Sequence, residues 1–346
     1  MKFLIVTIFL CFSQIVFSQK KLKPYYENTH KAENYILNNR LDSAHIYFRN
    51  AFSYVAKPFA RHLYISSIVN LKLRKFKEVS ASLVSLLELG MPFEKIKVSE
   101  IFSEYLQSKE GKILVRRHKK IKHTYDPAYR LRIRQMVEKD QFFRTKPGSY
   151  TKYGDSIKKV DRENIDTLLM LIHTKGFPTE QKIGIDENLT FAPLFALLFI
   201  HQSSGPLQQY DFSELLRQNV RNGNIENKDG YYLFNRISGG MFMNIVNVQY
   251  VKIIDSTRSR TNPNNLIVLK TSDWGYFPLT SKQKEKEDLQ RADFFLESFD
   301  KGLKKALFAL KVKDFDLIEN SYSKSTLFMY KQEHYDAQIL DITFFL

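Results

Sequence analysis

Cysteine is almost missing: Cys11 is the only one in 346 residues. It falls within the opening stretch MKFLIVTIFLCFSQIVFS. Lys2, the apolar run Phe3 to Phe12, and the small residue ending Val16-Phe17-Ser18 together read as an export signal cut near Ser18. The apolar run is too short to cross a bilayer, and Ser13-Gln14 interrupts it. Leu10 stands where a lipidated cysteine needs a small neighbour. The chain expected after cleavage has no cysteine, which excludes disulfides, thiol nucleophiles and cysteine-ligated zinc. A chain of this length holds together by core burial alone.

Glycine and proline are scarce too. With 13 Gly and 10 Pro, they reach about half their usual share, which argues against a disordered, collagenous or turn-dense all-β chain. No run of 18 apolar residues follows the opening stretch, so a multispan membrane protein and a transmembrane span in the mature chain are not expected. H-E-x-x-H, G-x-S-x-G, G-x-G-x-x-G and the P-loop are all absent. His118 and His123 lie five apart among cations, a poor metal site. Neither a metal nor a cofactor is called for.

Apolar residues make up 43% of the chain, including 28 Phe and 19 Tyr, enough to fill a core. The length suggests about two domains. Lys and Arg number 53 against 37 Asp and Glu, a net charge of +16. The excess gathers at Lys112, Arg116, Arg117, Lys119, Lys120, Lys122, Arg130, Arg132 and Arg134, opposed only by Asp126. Such a field attracts an anionic envelope polymer or anionic headgroups, or else is a solvated helix face. Only Tyr125 and Tyr129 interleave with it, so base stacking is not suggested and nucleic acid is set aside.

Between about residues 25 and 105 the apolar spacing is helical. Tyr26–Asn38, a helix from Leu41 with Ala44, Tyr47, Phe48 and Ala51 on one face, Phe59–Leu73, and Phe76–Leu89 are the expected elements. Gly90 and Pro92 stop the last. Arg40-Leu41-Asp42-Ser43-Ala44 matches Lys75-Phe76-Lys77-Glu78-Val79 at an offset of 35. This spacing resembles tetratricopeptide-type repeats, and the resemblance implies stacked helix pairs with a groove for a peptide or protein.

From residue 125 to 240 a helix is expected over Arg130–Phe143, with Pro127 in a polar break. Asp161 is expected to cap Arg162–His173, and Asp186 to cap an apolar helix ending at His201. The order Asp140-Gln141-x-x-Arg144, Asp161-x-x-Asn164, Gly176-Phe177-Pro178-Thr179, His201, Leu233-x-Asn235-Arg236 resembles a bacterial domain family of unknown function. Its pattern is D-Q-x-x-R, D-x-x-N, G-[FW]-P-T, Q-H and L-x-D-R. The resemblance implies a fold that follows an export signal and helical repeats, and it implies no established activity. Ile200 replaces the Gln before His201, Asn235 replaces Asp, and the family's Y-G-T-Q tail is absent.

Residues 241–346 shift in composition. Phe242–Ile254, Asn265–Leu269 and the tail Ala337–Leu346 alternate as strands, and Lys282–Lys311 reads as one helix. The expected fold class is therefore mainly α: tetratricopeptide-like hairpins, then a helical domain with a small β-containing C-terminal part (α+β). The expected division is 1–18, 25–105, 125–240 and 241–346.

The candidate catalytic residues are His201, Asp140 and Asp161, with Arg144, Gln141, Asn164 and Arg236 as binding candidates. A His oriented by a carboxylate is a general base, and an Arg forks a carboxylate or phosphate. Each also has a structural role open to it: Asp161 as a cap, Asp140 with Arg144 as an ion pair, His201 on a last-turn carbonyl. The leading reading is an exported, non-catalytic peptide- or protein-binding module. The alternatives are a hydrolase-like enzyme using His201 with Asp140 or Asp161, and a binder of anionic polymer or membrane surface through Lys112–Arg134, where Arg116, Arg117, Lys119 and Lys120 are the binding candidates.

Overall fold

The computed structural model describes residues 21–187, 192–203, 210–237 and 279–312, Phe315, and the backbone of four strand segments. The expected signal at 1–18 and most of the tail Ala337–Leu346 lie outside these residues. The described residues are mainly helical. None of their helices is long and apolar enough to cross a membrane.

Helix α1, described over 21–37, is followed by α2 (Leu41–Ser53), α3 (Ala60–Lys72) and α4 (Phe76–Glu88). The apolar spacing does what it predicts. Ala44, Phe48 and Ala51 of α2 and Val79, Leu83, Leu86 and Leu87 of α4 are buried. Tyr47 is half-buried and stacks on Tyr35 at 5.2 Å. Helix α3 packs against both neighbours, and it buries Arg61, His62 and Asn70 with its apolar residues.

The two hairpin turns are alike. Asn39 (φ 51°) and Arg74 (φ 56°) hold the left-handed conformation 35 residues apart. Arg40 N and Lys75 N then donate back to Tyr35 O and Asn70 O at 2.9 and 2.8 Å. Gly90 (φ 100°) ends α4 as expected, and Met91 N reaches Leu86 O at 3.0 Å. Short helices α5 (Phe93–Lys97), α6 (Ser103–Gln107) and α7 (Lys109–Arg117) extend the same core through Ile96, Phe102, Tyr105 and Leu114.

Helix α8 (Pro127–Arg144) starts earlier than expected. Pro127 does not break it but opens it, because a first-turn residue has no amide partner to lose. Asp126 caps it, accepting from Ala128 N and Tyr129 N at 2.9 and 3.0 Å. Leu131, expected among its apolar positions, is 57% exposed. Helix α9 (Ser149–Lys152) leads to α10 (Gly154–Lys175). Asp161 is therefore inside α10 and does not cap it, since Ile157 and Val160 continue the buried stripe of Ile165, Leu168 and Leu171 upstream of it.

Next come α11 (Glu180–Ile183), α12 (Ala196–Ser203), α13 (Ser213–Arg221) and α14 (Asn227–Ile237). Helix α12 starts well beyond Asp186, so Asp186 does not cap it. A second core gathers Ile133, Met136, Ile165, Leu168, Phe195, Phe199, Leu216 and Leu233.

The expected single helix Lys282–Lys311 is two, α15 (Ser281–Asp293) and α16 (Phe299–Lys311). Phe295 (φ 56°) makes the break, and Leu296 N returns to Arg291 O at 3.0 Å. Leu289 is 70% exposed and leaves the predicted stripe. The backbone segments β1 (Gln249–Ile254), β2 (Val268–Tyr276), β3 (Thr326–Tyr330) and β4 (Leu340–Asp341) pair in the order β3-β1-β2-β4.

Arg130 corrects the reading of an exposed cationic field. It is buried, and its guanidinium donates to Ile183 O and Ile185 O at 2.7 and 2.9 Å. Ile185 N in turn donates to Leu89 O at 2.9 Å. These bonds tie α4, α8 and the loop after α11 together at the seam between the two cores.

Candidate functional site

Asp140, Gln141 and Arg144 stand on the last turns of α8. Asp161 and Asn164 stand on α10 and His201 on the last turn of α12, and these three helices pack on one another. The fold thereby joins residues that are far apart in the chain. The Asp140 carboxylate accepts from His201 Nδ1 at 2.7 Å and from Gln141 Nε2 at 2.6 Å on Oδ2. Its Oδ1 accepts from Arg144 Nη1 at 2.9 Å. Arg144 Nη2 reaches Asp161 Oδ2 at 2.8 Å.

The exposures are graded. Asp140 is 1% exposed, Arg144 8%, Asp161 15% and His201 18%. The carboxylate is thus at the base of the network and the imidazole nearest to solvent. Burial by itself would lower Arg144, yet its bond to Asp161 and the charge of Asp140 prevail and raise it, so it stays a cation. Among the described residues, Asp161 Oδ1 is a buried acceptor with no hydrogen-bond partner.

An ionised carboxylate only accepts, so the short bond from Nδ1 places a proton there. Neutral His201 then carries its lone pair on Nε2. A carboxylate that fixes the tautomer and steadies the imidazolium is what a histidine base needs. His201 Nδ1 bonds Asp140, not the last-turn carbonyl expected of it. Asp140 and Arg144 do form the expected ion pair, with Asp161 as its third member.

The other candidates are placed apart from the dyad. Asn164 braces α10 to α8 by donating to Met136 O at 3.0 Å. Arg236 is half-buried on α14, which packs against α12. Arg116, Arg117, Lys119 and Lys120 are exposed on and just after α7, a separate surface.

Sequence reasoning missed a second ionisable cluster at the seam of the two cores. Glu33, fully buried, accepts from Lys228 Nζ at 3.0 Å and Lys305 Nζ at 2.5 Å. Burial opposes its ionisation, but the two ammonium groups prevail and hold its carboxyl well below the usual range. Lys305 is 2% exposed and also pairs with Glu297. His30, Glu33 and Glu297 lie close enough to share a cation, and the Lys305 ammonium already sits between the two carboxylates.

Beside them, Tyr25 donates its hydroxyl to His62 Nδ1 at 2.6 Å. Burial drives His62 down to about 3. Arg61 pairs with Asp229 at 3.4 Å. Glu180 accepts from Ala60 N at 2.9 Å, and burial, with the charge of Glu226 adding, pushes its carboxyl up to about 7. Glu180, Glu226 and Asp229 share the wall of a small cavity with Pro178 and Phe195. No family model, curated protein or solved structure matches this chain.

Proposed function

We propose that the chain carries a hydrolase-like acid–base site, with His201 as the base, Asp140 as its orienting carboxylate, and Arg144 and Gln141 holding that carboxylate. The observation that carries this reading is the 2.7 Å contact from His201 Nδ1 to an Asp140 that is itself 1% exposed. A histidine base held this way can activate water for attack on a polarised substrate bond.

The test is turnover across ester, amide, phosphoester and glycoside substrates. His201→Ala and Asp140→Asn should each lower a detected activity by about 10²-fold or more while the unfolding midpoint of His201→Ala stays near that of the parent. Turnover that survives both changes defeats the proposal.

A second reading, the peptide- or protein-binding module, draws support from the paired hairpin turns at Asn39 and Arg74. That repetition also supports the tetratricopeptide-like relation between α1–α2 and α3–α4. Export with cleavage near Ser18 is supported by Lys2 and the apolar run Phe3–Phe12.

A further inference from the structure

The sequence concentrates cations after Lys112, and the fold shows which of them are available. Arg130 is used inside, and Arg134 is tied to Glu187 at 2.8 Å. Lys112, Arg116, Arg117, Lys119, Lys120 and Lys122 are all exposed, on α7, on the short turn His118–Lys120 that follows it and, for Lys122, just beyond that turn. None of the six forms an ion pair among the described residues, and no acidic residue lies between Lys112 and Lys122.

The strip is held firmly. Leu114 is buried beneath it, and Ile121 packs on the first core. The His118 ring stacks on Phe93 at 3.9 Å. His123 stacks on Tyr125 at 4.8 Å, and the Arg130 guanidinium covers that same tyrosine at 4.8 Å. The rings near the strip are therefore engaged within the protein, which leaves no stacking platform for nucleic-acid bases.

An apolar side chain stands among the cations: Val115, one residue before Arg116, is 42% exposed. In water this is a small loss. At a headgroup boundary the valine meets acyl carbon while its charged neighbours meet phosphate. Clusters of Lys and Arg of this size are what an anionic leaflet attracts.

We propose that the Lys112–Lys122 strip docks the protein on an anionic lipid surface. The contact is peripheral, set by charge and steadied by Val115. It lies apart from the His201 network and does not depend on that site being catalytic.

The experiment is sedimentation of the full chain with vesicles of phosphatidylcholine alone or mixed with phosphatidylglycerol, at low and high salt. Lys2, Lys20, Lys21 and Lys23 flank the apolar N-terminal stretch and also favour the mixed vesicles, so the strip's share is read from the substitutions within it. Binding should be stronger to the mixed vesicles and fall with salt. Arg116→Gln, Arg117→Gln, Lys119→Gln and Lys120→Gln should each weaken it roughly fivefold, with an unchanged unfolding midpoint. Val115→Asn, which keeps every charge, should weaken it too. Equal binding to both vesicle types overturns the proposal. So does binding unaltered by the four Gln variants. Loss with the Gln variants but not with Val115→Asn also overturns it, because charge alone then accounts for the binding, as it would for a soluble polyanion.

Discussion

Arg144 sits between two carboxylates with each arm of its guanidinium on a different one. Lysine has no fork to span Asp140 and Asp161, so Arg144→Lys is not a conservative change here. Arg144→Met removes the cation and leaves both acids facing each other at low exposure. It should cost about 3–5 kcal/mol in urea unfolding, the range for breaking a buried ion pair on one side. A loss under about 1 kcal/mol would show that water already screens the network.

Two ionisable groups at the seam give opposite pH trends. His62 titrates at about 3 in the folded chain against an ordinary 6.5, so unfolding takes up a proton and stability falls as pH drops below 6.5. Glu180 titrates at about 7 against an ordinary 4.5, so the folded chain binds its proton more tightly. Its burial cost is complete above about 7 and is relieved as pH falls toward 4.5. Glu180→Gln should therefore raise the unfolding midpoint on the alkaline side of 7 and leave it little changed near 4.5. Its amide oxygen still accepts from Ala60 N. A midpoint unchanged on the alkaline side would show that Glu180 is solvated there.

At the level of the element, the loop after α11 is sharply constrained. Gly184 holds φ 73°, and a methyl group there would meet Leu89 O at 2.6 Å and Arg130 Nη1 at 2.3 Å. Gly184→Ala should destabilise by more than about 1 kcal/mol, through backbone strain and displaced carbonyl bonds together. An unchanged thermal midpoint would mean that the loop moves aside freely.

How much of this was legible follows the range of the interactions. Helices α2 and α4 are written in local spacing, Val79 to Leu87 above all, and Gly90 marks a stop that backbone sterics require. The start of α10 was misread because Asp161 resembles a cap, although Ile157 and Val160 already carried the stripe. His201 and Asp140 were visible as polar residues at the ends of apolar-periodic helices. Their contact was not, because 61 residues separate them. The seam cluster was invisible for the same reason. Nothing local in Arg61, Glu33 or Lys305 distinguishes them from solvated charges, and only packing brings them together.

At the level of the whole molecule, the seam cluster joins α1, α14 and α16, so its failure is shared by all of them. Lys305→Ala leaves Glu33 and Glu297 without their common ammonium. It should cost about 3–5 kcal/mol, whereas Glu33→Gln combined with Lys305→Met should recover part of that loss. Additive losses in the double variant would show that the two residues do not act as a pair.

The counter-charges of Glu33 arrive late in synthesis: Lys228 lies 195 residues downstream and Lys305 lies 272. A nascent chain emerging from the ribosome therefore carries an acid at its leading end whose neutralising partners have not yet been made. Until α16 is made, Glu33 lacks one of its two ammonium partners. Chains ending before Phe299 should be digested through α1 by a protease that spares the full chain; equal resistance would show that α1 docks without Lys305.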